Sequence, residues 1–343
     1  MFATWTPRYV RMVRNPYFHE WSHAAQPDGY PDQIVFHTVT TESQALAAVE
    51  RGSADYAYQG VPPDRLNELQ TRFPSRLYVN PLIATDALVL NTRVAPFDDI
   101  RVRQALNYAI DRAKVARLLG QDTRPTCQIL PPYLPGYQRY CPYTLDPNPA
   151  GIWHAPDLAK ARRLIAATHT RGTPVTIWNL GAYQTDFTPI EPYLVSLLDR
   201  LGYPTKVKDL SNDNNAWSLF SVSGTKAQAA LTEFWPQYPS PSQILQVNFS
   251  CQYLVPDSPG NSNLSEFCDQ RLDAQIAAAL AAESSNSPEA ASLWAQADRT
   301  ATDAAPIVAF DNPSNIDFVS SRVGNYQYSI AGGGIFADQL WVR

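Results

Sequence analysis

The sequence predicts an α/β protein organised as two domains. Two observations predict it. Signals for short strands and amphipathic helices alternate along most of the chain, and 343 residues are more than one small core organises. Composition agrees, because 45% hydrophobic and 17% charged residues can bury a sizeable core.

Taken in order, Ile34 to Val39 is β-branched and aromatic, as a buried strand should be. Thr41 opens a helix with Gln44 at the capping-box position, Leu46 and Val49 on its apolar face and Gly52 at its end. A short helix follows Pro62-Pro63, then strands Leu77 to Val79 and Ala87 to Leu90. Pro96-Phe97-Asp98-Asp99 starts a long helix in which Val102, Leu106, Ala109 and Ile110 recur at helical spacing. Residues 122–155 are rich in Pro, Tyr and Asn and read as an ordered loop. Asp157 caps another helix. Strand Val175 to Trp178, helix Ile190 to Leu201 and strand Thr205 to Lys208 repeat the alternation. Two helices follow, one around Leu272, Ile276 and Leu280 and one opening at Ser287-Pro288-Glu289. Strands Ile307 to Phe310 and Ile316 to Val319 precede an aromatic, Gly-rich tail.

Several activities are excluded or disfavoured. A net charge of −5 without a basic stripe argues against nucleic-acid binding. No G-x-x-x-x-G-K-[ST], G-x-S-x-G or H-E-x-x-H is present, so no ATPase, hydrolase or zinc-protease motif is encoded. The five histidines are scattered, and neither a cofactor, a metal site nor an enzymatic step is expected. No apolar run is long enough to cross a membrane, and Met1 to Arg8 does not read as a signal peptide.

Cysteines 127, 141, 251 and 268 form two local pairs with no C-x-x-C. Disulfides Cys127–Cys141 and Cys251–Cys268 are the simplest reading, which would imply an oxidising compartment; free thiols are the alternative.

Asn91-Thr92 and the run from Pro96 to Arg112, P-F-D-D-I-R-V-R-Q-A-L-N-Y-A-I-D-R, resemble the signature of the extracytoplasmic solute-binding proteins of ABC importers, in the oligopeptide-, dipeptide- and nickel-binding family. Arg14 to Phe18, Ala47 to Asp55, Leu134 to Tyr137, Tyr238 to Pro241 and Phe267 to Asp273 also resemble it. The resemblance implies a two-lobed, type II periplasmic-binding-protein fold. Lobe one would comprise residues 1–94 and 306–343, and lobe two residues 95–305, with hinges near 92–96 and 303–306. It implies a substrate-binding component that captures a peptide or other small polar solute in a cleft and delivers it to a membrane permease. Such a protein is expected to be a monomer working outside the cytoplasm. Because Met1 falls inside the family's pattern, the chain reads as the C-terminal portion of such a protein, without the family's N-terminal region. Three rival readings are a ligand-sensing module of a transcriptional regulator, a hydrolase, and a truncated product that binds nothing by itself.

The resemblance also suggests contacts. Peptide-binding relatives carry a motif similar to W-x-x-D-Y-x-x-P, whose Asp meets the peptide ammonium. Here Phe234-Trp235-Pro236-Gln237-Tyr238-Pro239 stands at that place, with Gln237 for the Asp. A neutral amide accepts a hydrogen bond but cannot neutralise an ammonium, so a non-peptide solute such as an oligosaccharide enters consideration. Glu233 is a possible substitute. Phe234, Trp235 and Tyr238 are the candidate aromatic wall. Trp178, Asn179 and Tyr183 follow a strand, where open α/β sheets place ligands.

Overall fold

The computed structural model describes residues 1–24, 28–58, 60–120, 123–181, 185–284 and 287–343. These form two compact units, 1–82 with 314–343, and 83–313.

In the first unit, strands β1 (Phe2–Trp5), β2 (Tyr9–Val13) and β3 (Gln33–His37) make an antiparallel sheet. Helix α1 (Glu42–Glu50) begins where predicted, with Thr41 Oγ1 accepting from the Gln44 amide at 3.2 Å. The Gln44 side chain accepts from Thr40 rather than closing back on Thr41, so the box is offset by one residue. Helix α2 (Pro63–Arg72) starts on a proline, whose missing amide proton costs nothing in a first turn. Strand β4 (Leu77–Pro81) pairs with a strand returning from the far end of the chain, Ser314–Phe318. Leu46, Val49, Ala57, Leu69 and Phe318 form this unit's core. Arg76 lies over Phe73 and Phe318 and donates to the Val319 and Val49 carbonyls at 2.8 and 3.0 Å.

The second unit is built on a six-stranded mixed sheet. Its elements run β5 (Thr85–Leu90), α3 (Ile100–Ala109), α4 (Arg112–Leu119), β6 (Arg124–Pro125), α5 (Leu158–Ala166) and β7 (Val175–Asn179). They continue as α6 (Glu191–Leu201), β8 (Thr205–Asp209), α7 (Ala216–Ser221), β9 (Ala229–Phe234) and α8 (Ser242–Phe249). Helices α9 (Gln270–Glu283) and α10 (Ser287–Ala304) and strand β10 (Ile307–Asn312) complete it. The strand order is β6-β10-β5-β9-β7-β8. Strands β7, β8 and β9 are mutually parallel, while β5 runs antiparallel to β9 and β10 to β5. The chain thus joins the units covalently at Leu82–Ile83 and Pro313–Ser314. The stretches 92–96 and 303–306 lie inside the second unit, where the Thr92 amide bonds the Ser265 carbonyl at 2.8 Å. There the Arg103 guanidinium also holds the Ala304 carbonyl at 2.9 Å.

The long helix expected from Pro96 is two helices. Asp99 caps α3 through the Arg101 amide, Ile110 turns to extended backbone, and Asp111 caps α4 through the Lys114 amide at 2.9 Å. An apolar period carried on through Ile110, but a second Asp cap outweighs it. Arg112, fully buried at the first position of α4, ties this corner together. Its guanidinium donates to the backbone carbonyls of Thr126, Ala309, Asn107 and Tyr143, and to Asn107 Oδ1. Burial pulls its pKa down to about 9.

Both cysteine pairs are disulfides, with Cα atoms 4.9 Å apart in Cys127–Cys141 and 4.5 Å apart in Cys251–Cys268. The first pins the Pro- and Tyr-rich segment, whose Leu130 amide and Gln128 side chain bond Asp298 of α10 at 3.0 and 2.8 Å.

Candidate functional site

In a sheet with this order, the carboxyl ends of β7, β8, β9 and β10 and the amino end of β5 share one edge. That edge gathers most of the residues singled out from sequence, and it is where open α/β sheets place their ligands.

Strand β9 ends at Phe234, which is buried against Phe249 with ring centroids 5.5 Å apart. Immediately beyond, Trp235 is half-buried, while Gln237 and Tyr238 are exposed. The loop is held by bonds of its own. The Gln237 amide donates to Gln243 Oε1, the Ser240 amide to the Tyr238 carbonyl at 2.7 Å, and the Ser240 and Ser242 hydroxyls meet at 2.8 Å. The side chains of Gln237 and Tyr238 are therefore presented on a tethered turn.

Asn179, at the end of β7, is fully buried. Its Nδ2 donates to Glu191 Oε1 at 2.7 Å and its Oδ1 accepts from the Gly181 amide at 3.0 Å. It fixes the strand end to the start of α6. Trp178 is 9% exposed. Its ring stands edge-on to Phe220 with the Lys208 ammonium 3.7 Å from its centroid, and it lines a cavity of about 410 Å³ with Lys206, Lys208 and Lys226. Tyr183 lies outside the described residues. A second cavity, of about 470 Å³, follows the end of β8 and is lined by Asp209, Leu210, Asn212, Asp213, Asn214 and Asn215.

Sequence reasoning passed over a row of carboxyl groups at the same edge. Asp311 of β10 stands opposite Asp86 of β5, and Asp86 opposite Glu233 of β9. Asp86 and Asp311 are fully buried. Burial first, then the neighbouring Asp311 and Glu233 charges, push Asp86 well above the usual carboxylate range; the Thr185 hydroxyl, donating at 2.9 Å, opposes that. Burial likewise pushes Asp311 up to about 7. The available signal was an acid inside an otherwise apolar strand, in A-T-D-A-L-V-L and again in I-V-A-F-D-N. Among the described residues no group of His, Cys, Asp or Glu is arranged to hold a metal ion, and no helix is long and apolar enough to cross a membrane.

A mixed α/β sheet with polar and aromatic loops at one edge is a scaffold on which ligand sites are commonly built. The match to known families specifies it: residues 1–254 match the bacterial extracellular solute-binding proteins, family 5 (middle), and the chain belongs to that family. It is similar to the periplasmic oligopeptide-binding protein OppA of Haemophilus influenzae, 29% identical over 126 residues, covering 36% of this chain and 22% of that protein. It is also similar to the glutathione-binding protein GsiB of Escherichia coli, 28% identical over 157 residues, covering 45% of this chain and 28% of that protein. The matched segments thus span about a quarter of these relatives.

Among solved structures, the clavulanic acid biosynthesis oligopeptide binding protein 2 matches with a TM-score of 0.84 at 21% identity, over 100% of this chain and 62% of that one. The ABC transporter-associated periplasmic binding protein DppA from Helicobacter pylori, in complex with peptide STSA, matches with a TM-score of 0.76 at 18% identity, over 99% and 62%. These likenesses establish the fold: a periplasmic-binding-protein type of α/β structure.

Proposed function

We propose that this protein is the substrate-binding part of an ABC importer, capturing a peptide or other small polar solute outside the cytoplasm for delivery to a membrane permease. Family membership supports a binding role, and the relatives named for oligopeptide and glutathione binding favour a peptide-like solute. The observation that carries the reading is the tethered turn after β9, which holds Trp235, Gln237 and Tyr238 at the strand ends. Stacking on the two aromatic rings and hydrogen bonding to the Gln237 amide would recognise a polar, partly apolar solute without any covalent step. Phe234, Trp178 and Asn179 shape the edge from beneath, and Tyr183 belongs to the same proposed set. Two disulfides fit a protein that works in an oxidising compartment. The two-lobe division enters the proposal too, with the covalent crossings at 82–83 and 313–314 as the candidate hinges.

A thermal-shift screen of the purified protein against di- and tripeptides, oligosaccharides and glutathione tests this. A bound solute at about 100 times its dissociation constant adds roughly 2.7 kcal/mol to stability. A rise in melting temperature with one class, lost in Trp235→Ala with Tyr238→Ala, is the expected result. A clean melt that no class shifts would overturn it.

A further inference from the structure

Strands β10, β5 and β9 lie side by side, and their register puts Asp311, Asp86 and Glu233 directly opposite one another. Directly opposed residues share a face with Cβ atoms about 4.5–5.5 Å apart, and like charges so placed destabilise a sheet. This is an expensive arrangement for a sheet interior. Asp86 and Asp311 are both 0% exposed. Among the described residues the Thr185 hydroxyl is the hydrogen-bond donor to Asp86 Oδ2. Asp86 and Asp311 lie within hydrogen-bonding reach of each other and Thr123 reaches Asp311, but among the described residues no N–H group or cation meets Asp86 Oδ1 or either Asp311 oxygen. None of the ion pairs among the described residues includes Asp86 or Asp311. The groups that act electrostatically on Asp86 are the carboxyls of Asp311 and Glu233.

A fully buried carboxyl group in this condition has two ways to lower its free energy: to hold a proton, or to receive a cation. Glu233 is only half-buried and stands two residues before Trp235, at the start of the turn assigned above to solute binding. From Glu233 the row passes to Asp86 and then to Asp311, both fully buried. The donor set favours an organic cation: buried carboxylates in a line match the several N–H groups of a guanidinium or ammonium.

We propose that Glu233, Asp86 and Asp311 form a subsite for a positively charged group of the solute, an alkylammonium or a guanidinium. The proposal rests on the solute-binding reading above and names the substrate class for that site. Binding there replaces protons on the buried pair with the ligand's charge.

The test is titration calorimetry on the full chain with matched tripeptides: Ala-Arg-Ala against Ala-citrulline-Ala, and Ala-Lys-Ala against Ala-norleucine-Ala. Each pair keeps shape and removes charge. The cationic member should bind at least about tenfold more tightly, the scale of one charge-assisted pair. Asp311→Asn and Asp86→Asn should bring that ratio to about one. Because either could disturb a buried network, a far-UV spectrum and melt accompany each, and Glu233→Gln at the half-buried end serves as the second variant, expected to reduce the ratio. Preference in only the arginine pair or only the lysine pair assigns guanidinium or ammonium. Equal affinities within both pairs, or a preference that survives all three substitutions, would overturn the subsite while leaving the solute-binding reading in place. If neither member of either pair binds, the peptide reading fails, and thermal shifts with free ethylguanidinium and butylammonium decide the subsite. A shift present in the wild type and absent in Asp311→Asn supports it, and no shift in the wild type overturns it.

Discussion

The two units use the same materials to different ends. In the second, every residue of strands β5 and β10 is buried, and helices α3 to α6 contribute side chains to one continuous core. In the first, five fully enclosed side chains carry the core, and the β1–β3 sheet leaves Phe2, Trp5, Val35 and Phe36 exposed. Trp5 is 81% exposed and Tyr17 82%. A three-stranded sheet with no fully buried residue gains little from burial, so its stability rests on hydrogen bonds that water can replace. The difference teaches where perturbations should be felt: deep in the second unit almost any change is costly, whereas in the first only a few positions are.

The sharpest way to break that contrast is Arg112→Leu. Four backbone carbonyls would lose their donor at once, and at about 1 kcal/mol or more for each orphaned group the loss should be about 4 kcal/mol or greater. Urea unfolding followed by far-UV circular dichroism measures it, and a loss below about 1 kcal/mol would show that water repairs the corner. Next comes Phe318→Ala, a fully buried aromatic in the first unit's small core, expected to cost about 3 kcal/mol. Trp5→Ala, on the same unit's open sheet, should stay within about 0.5 kcal/mol. Equal effects for those two would mean that the open sheet is covered in solution.

Removing the Cys251–Cys268 disulfide by a double Ser substitution should cost on the order of 2–3 kcal/mol, from the freedom restored to the unfolded loop. The same unfolding experiment under reducing and oxidising conditions checks it.

A last effect is a slope with pH. Asp298 and Asp311 are both pushed up to about 7 by burial, so the folded state holds protons that the unfolded chain releases near pH 4. Their contribution to stability is fully present below that value and is lost as pH rises through about 7. Melting temperature should fall between pH 5 and pH 8, less steeply in Asp311→Asn, and a flat profile in the wild type would show the pair already ionised.

Much of this was legible in the sequence because the signals are local. Thr41, Asp99 and Asp157 each cap the helix that their neighbours predict, since a side-chain oxygen reaches an amide two or three residues on whatever the rest of the chain does. Strands β7 and β8 appear within a residue of expectation. Local reading failed where two local signals competed, as at Ile110. It also failed where an element is short and amide- or serine-rich, as in α7 and α8, and where strand β9 hides in an Ala-rich run with no alternation. Asn179 illustrates the limit for site residues. Its place at a strand end was visible, but its commitment to Glu191 and Gly181 depends on where α6 returns.

The sequence by itself determined the α/β class, the family, most helix starts and which cysteines stand close enough to pair, because each depends on residues close together along the chain or on a long run of matching letters. Only the tertiary structure decided that Asp86, Glu233 and Asp311, separated by 147 and 78 positions, stand in one row. Strand order and register bring them together, and register is set by which side chains can be buried across the whole sheet, a property that no single segment carries.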